Sequence, residues 1–295
     1  LPPRADHLQT EMPRHTQIPD WPPRWPEKPD DCRVRLPGSI RRLSAQAFTM
    51  IRPNFTPVKC PAKILFAHLL LFTLSMDFST ILKFLKDLSK NNDRAWFEKN
   101  KGKYLEAKDQ FDQFVTKLLH DLTDFDQSLA ALDPKKITFR IYRDVRFSKN
   151  KLPYKINMSA GISPRGKMVD EPGVYLHIQP GNKSFVAAGL WMPQPEPLAK
   201  IRQEIDYNGD ALKKIMNDKK FKKMYGAFET EYALKNTPKG YEKDHPLADW
   251  LRLKSFVVSH NFTDEEVKSK NFMKSVIDTY KTAKPLNDFL KDAIA

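Results

Sequence analysis

The chain has 295 residues, 40% of them hydrophobic and 11% aromatic, with a net charge of +14 and a pI near 9.5. That is apolar residue enough for a real core, in one large domain or two small ones. The charge favours acidic partners in encounter and says nothing of fold. Both cysteines, Cys32 and Cys60, precede residue 76, so disulfides, thiolate chemistry and Cys-based zinc sites are excluded from everything after it.

The composition changes near Met76. Residues 1–75 hold eight Arg and three Lys, whereas residues 76–295 hold seven Arg and thirty-two Lys. The first part also carries 12 of the 23 Pro and one of the ten Gly. Stretches such as "PDWPPRWPEKPDD" (19–31) show no period of 2 or 3.6 and cannot build a packed core. The apolar run "ILFAHLLLFTLSM" (64–76) is shorter than the about 20 residues a membrane span requires. It also lies far from the terminus for a signal peptide. Residues 1–75 are expected to be upstream sequence read through in frame, with a start at Met76. The alternatives are a disordered, Pro- and Arg-rich extension, or a signal or anchor segment. Cytoplasmic location is the expectation.

Residues 76–295 read as one α+β domain. "FSTILKFLKDLSK" (78–90) is an amphipathic helix with Ile81, Leu82, Leu85 and Leu88 on one stripe. Asn92 or Asp93 caps a long second helix carrying Phe97, Tyr104, Phe111, Phe114, Val115, Leu118 and Leu122, and Pro134 closes this helical part. The period then becomes two. Strands are expected over 136–142, 156–162, 174–179, 183–192 and 255–262, the third and fourth joined by the tight turn "PGNK" (180–183). The whole is an antiparallel meander of about five strands with helices before and after it, one face buried and the other left to solvent or ligand. Pro197 suits the start of a helix over about 197–207. Lys-rich helices run on to Met224, and Pro246 opens a short helix for which Asp244 serves as cap. Thr263 with Glu266 makes a capping box, and Pro285 breaks the last helix.

No P-loop, dinucleotide fingerprint, nucleophile elbow or H-E-x-x-H is present. The strongest positive signal is "FRIYRDVRFSKNKLPYK" (139–155). Six cations (Arg140, Arg143, Arg146, Lys149, Lys151, Lys155) face one acid, Asp144, with Phe139, Tyr142, Phe147 and Tyr154 between them. Arg140 and Tyr142 share a strand face. If the register agrees, Asn157, Ser159, His177 and Gln179 join them. Such a patch suits a phosphate or carboxylate, because guanidinium offers a planar fork of donors. The ligand set expected is Arg140, Tyr142, Arg143, Arg146, Tyr154, Lys155 and Asn157. His177 is the weak candidate for acid–base chemistry and Asp144 its rival. The plainer alternative pairs Arg143 or Arg146 with Asp144, Glu98 or Glu106, and gives the aromatics to packing. Trp96, Asn100 and Tyr104 share a helix face. Trp191 either lines a pocket mouth or seals the sheet end. An Asp244–His245 dyad rests on adjacency alone. A metal held by His177, His245 and His260 is remote, so neither metal nor cofactor is expected.

Several stretches together resemble a known family: "NNDRAWFEKNKGKY" (91–104), residues 139–155, "GVYLHIQPG" (173–181), "GLWMP" (189–193) and "KGYEKDHPLADWLRLKSFVV" (239–258). They are similar to a mainly bacterial family of conserved hypothetical proteins, domain of unknown function 2461. The resemblance covers nearly all of residues 76–295 and leaves 1–75 outside. It implies boundaries and no activity, cofactor or partner. The function expected is therefore a small-anion-binding domain with a basic, aromatic cleft. The rivals are a nucleic-acid-binding module, since basic charge with interleaved rings suits single strands, and a scaffold whose Lys-rich helices (213–223) dock a partner.

Overall fold

A computed structural model describes residues 78–295, apart from Phe147, Lys149, Met168 and Val169. The readings made of residues 1–75 lie outside the described residues. Helix α1 (Phe78–Lys90) buries Phe78, Ile81, Leu82, Phe84, Leu85 and Leu88. Asp93 caps α2 (Arg94–Lys99), accepting from the Trp96 N–H at 2.8 Å. The long second helix is interrupted at Asn100 (φ −108°, ψ 16°) before α3 (Lys101–Thr123) resumes. The Asn100 side-chain amide donates to Trp96 O at 2.9 Å, a local bond that competes with the helical ladder. Pro134 opens a one-turn helix, α4 (Pro134–Ile137), rather than closing one. Asp133 caps it, and proline's missing N–H costs nothing at that position.

The strand expected over 136–142 is the main departure. Only isolated bridges form there, Thr138 to Ala160 and Tyr142 to Tyr154. Between those two bridges the 154–160 side carries two extra residues, so the ladder bulges and no regular strand propagates. The sheet has four antiparallel strands in the order β1 (Met158–Ile162), β2 (Gly173–Ile178), β3 (Ser184–Leu190) and β4 (Phe256–Phe262). The β2–β3 turn puts Gly181 and Asn182 at positive φ, as a tight hairpin requires. The Asp264 carboxylate accepts from both their N–H groups at 2.9 and 3.0 Å.

One sheet face carries Ala160, Ile162, Val174, Leu176, Val186, Ala188, Phe256 and Val258 into the core. α3 and the long last helix lie on this core. The opposite face is not open as expected, for β1, β2 and β3 are buried along their whole length. Both sheet edges are covered in part. At β1, Phe139 N–H donates to Ser159 O at 2.9 Å; at β4, Glu229 N–H donates to Val257 O at 2.9 Å.

The remaining helices follow the sequence with three corrections. α5 (Pro195–Asn217) continues past 207 through a kink at Asn208, where Gly209 admits the Leu247 side chain. α6 (Lys219–Tyr225) is capped by Asp218. α7 (Ala248–Leu251) starts later than Pro246, and Asp244 does not cap it; His245 Nδ1 accepts the Leu247 N–H at 3.0 Å instead. The capping box of Thr263 and Glu266 starts α8 (Asp264–Lys268) as expected. α9 (Phe272–Ile294) runs through Pro285 unbroken. That proline is exposed, and so is Lys281, whose carbonyl loses its helical partner to the missing N–H. Among the described residues no helix is long and apolar enough to cross a membrane.

Candidate functional site

The bulged ladder turns Phe139 out of the core and onto the second sheet face. Its ring meets Tyr175 edge-on at 5.9 Å. Two ammonium groups lie over the same ring, Lys155 Nζ and Lys167 Nζ, each 5.4 Å from its centroid. Lys155 is set by its own N–H, which donates to Ile141 O at 2.7 Å. Lys167 arrives by a tight turn in which Ser163 and Gly166 exchange backbone hydrogen bonds at 2.9 and 3.0 Å. The returning chain passes so close to β1 that a Cβ on Gly161 would sit 3.3 Å from the Lys167 backbone.

Arg140 and Arg143 complete the cluster. Burial first, then Arg140, Lys167 and Arg143, hold the Lys155 ammonium below the ordinary lysine range. Lys167 is shifted the same way by burial and Arg140. Arg140 is exposed, and the other three are half-buried. Among the described residues none of the four pairs with a carboxylate. Lys155 and Lys167 lie over the Phe139 ring, Arg140 also acts on the nearby Asp144 carboxylate, and like charges this close repel one another.

Next to this ring, β2 presents Tyr175, His177 and Gln179 on one face. Gln179 Oε1 accepts from His177 Nε2–H at 2.9 Å, which leaves Nδ1 to accept from the Tyr175 hydroxyl at 3.3 Å. Ser159, directly opposite His177 in the register, hydrogen-bonds the Tyr175 hydroxyl in turn. Burial pushes that phenol up to about 12, so it remains a neutral donor. His177 is 1% exposed and stacks on Phe185 with centroids 4.6 Å apart. The register thus brings Ser159, His177 and Gln179 onto one face, in an internal relay.

The other expected residues divide differently. Tyr154 stacks on Phe97 at 4.0 Å, and Tyr142 packs on both. These rings, with Phe84, Trp96 and Tyr104, join the bulged segment to α2 and α3. Asn92 clamps the backbone of Tyr154, donating to its carbonyl at 3.0 Å and accepting from its N–H at 3.1 Å. Arg146 makes a two-pronged pair with Asp144, at 3.0 and 2.7 Å. That hydrogen bonding holds the Asp144 carboxyl down at about 2, and the Arg146 fork is committed to it. Lys151 reaches back to Val145 O at 3.0 Å. Phe147 and Lys149 lie outside the described residues. Asn157 is buried and borders a small hollow of about 20 Å³, room for roughly one water, with Tyr104, Thr138, Phe139 and the Lys108–Asp112 pair.

His245 pairs with Asp206, not Asp244, at 3.0 Å. His260 donates from Nδ1 to Met224 O at 3.0 Å. The three histidines have separate partners and do not converge, and no metal-ligating group of three forms among the described residues. Trp191 packs edge-on against Tyr232 at 5.4 Å. Lys167 is the member that the sequence reading missed. Its signal is local: "GISPRGK" (161–167) is a small residue, then a Pro–Arg–Gly turn, then a lysine returned across the glycine.

A protein-family model described as "Conserved hypothetical protein (DUF2461)" matches residues 80–289. No curated protein and no solved structure matched the chain.

Proposed function

The chain belongs to the DUF2461 family of conserved hypothetical proteins, and from that premise we propose that it binds a small phosphorylated or carboxylated ligand at the Phe139 cluster, in the cytoplasm. The observation that carries this reading is the convergence of Arg140, Arg143, Lys155 and Lys167, none of them in a salt bridge among the described residues, with Asp144 near Arg140 only partly offsetting their charge. A ligand with two or more negative charges offsets their mutual repulsion, and the arginines supply directed donors. Two of the cations share the Phe139 ring and the two arginines act on the same lysines, a compact grouping that favours a small ligand over a nucleic-acid strand.

The test is calorimetric titration of the full chain with pyrophosphate, citrate and a single-stranded oligonucleotide. Saturable one-to-one binding of a small anion is expected. Arg140→Ala and Lys167→Ala should each weaken it about tenfold, or about 1.4 kcal/mol. Sequence-independent oligonucleotide binding that collapses with salt, without small-anion binding, would favour the nucleic-acid reading. Unchanged affinity in both variants would sink the site.

A further inference from the structure

We propose that Lys155 is a covalent anchor, whose Nζ condenses with the carbonyl carbon of an anionic aldehyde or ketone held by Arg140, Arg143 and Lys167. The inference rests on the anion-binding reading and adds a substrate class to it. The Lys155 lone pair attacks the carbonyl carbon and the C=O π pair moves to oxygen. The two amine hydrogens leave with that oxygen as one water, and a neutral imine remains.

Three features single out Lys155. An amine is nucleophilic only when unprotonated, and crowding by cations is a recognised way to release its proton. Lys155 faces three cations, none of them in a salt bridge with a carboxylate among the described residues, although the Asp144 carboxylate feels the charge of Arg140. Lys167 has two such neighbours, Arg140 and Lys155 itself. Attraction to the Phe139 ring favours the ammonium, whereas burial and the neighbouring cations disfavour it. Second, converting an ammonium to a neutral imine removes one of the four positive charges, so the product relieves the repulsion that the empty cluster bears. Third, the base of the side chain is held firmly. Its N–H is bonded to Ile141 O, and the preceding residue is clamped by Asn92 and stacked on Phe97. Firm placement lets the cations position a carbonyl carbon within reach of one nitrogen.

The experiment treats the full chain with glycolaldehyde phosphate, or with uncharged glycolaldehyde, at neutral pH, traps imines with borohydride and maps adducts by peptide mass spectrometry. The expected result is one adduct per chain at Lys155. Labelling there should exceed any other lysine at least tenfold, occur with the phosphorylated probe only, and be suppressed by pyrophosphate. Lys155→Arg should lose it while melting as the parent does, with Lys155→Gln as the substitute if the arginine variant fails to fold. Lys167→Arg should keep the adduct on Lys155. Adducts spread evenly over surface lysines overturn the proposal. If pyrophosphate binds one-to-one but Lys155 stays unlabelled, the covalent step fails and the anion site stands. If the uncharged aldehyde labels Lys155 equally and pyrophosphate gives no protection, the anion reading fails and the proposal with it.

Discussion

Asn92→Ala probes the attachment of the candidate site to the helices. Asn92 makes two hydrogen bonds to the main chain of Tyr154, at 3.0 and 3.1 Å. Each contributes about 1 kcal/mol net. Tyr154 is buried, and its ring lies 4.0 Å from that of Phe97 at an interplanar angle of 13°. Loosening that stack costs up to about 1 kcal/mol more. The expected loss is therefore about 2–3 kcal/mol. In a domain of this size about 2–4 °C of melting temperature follows each kcal/mol, so Tm should fall by roughly 4–12 °C. Circular dichroism melts give the shift. Urea titration should show a lower midpoint with an unchanged slope. Asn92→Asp keeps the acceptor but turns a carboxylate toward the Tyr154 carbonyl, and should be no milder. A loss under about 0.5 kcal/mol would refute the clamp as a structural tie.

Two further outcomes follow from single residues. The Asp144 carboxyl should titrate near 2 by carbon-13 NMR, held down by Arg146. The pairing then contributes stability above about pH 3.8, and that contribution is lost as pH falls through about 2. In Arg146→Gln the titration should return toward the ordinary range, and a parent value near 3.8 would deny the pair. Gly189→Ala should cost about 3 kcal/mol or more, because its Cβ would lie 1.9 Å from Phe256 O at φ +121° and would force β3 from β4. Gly166→Ala, at φ +118° with nothing within 4 Å, should cost only about 1–2 kcal/mol, and equal losses would contradict this account.

The regular parts of the fold were legible because their signals are local. The α1 stripe, the "PGNK" turn and the Thr263–Glu266 box depend on near neighbours, and each is found where expected. The failures have long-range causes. The alternation of 136–142 looks like a strand, but its partner carries two extra residues and the ladder bulges. Pro285 reads as a breaker unless its exposed side is known. At the candidate site, the charge pattern picked out residues 139–155 but not which of its cations would stay clear of a salt bridge. Asp144 absorbs Arg146, the helical rings absorb Tyr142 and Tyr154, and a turn 12 residues beyond Lys155 supplies Lys167. Which cation keeps its charge unpaired depends on distances that composition does not contain.

The covered margins of the sheet bear on how this chain meets copies of itself. Strand-by-strand growth between molecules starts from a straight row of unused backbone donors and acceptors. Here the bulged segment at Phe139 blunts β1, and the Glu229 segment covers the start of β4 at Val257. Among the described residues, extension of the sheet by a second copy at the β1 side would first have to strip away the bulged segment, so the short stretch 259–261 of β4 is the part of the sheet margin more open to backbone pairing.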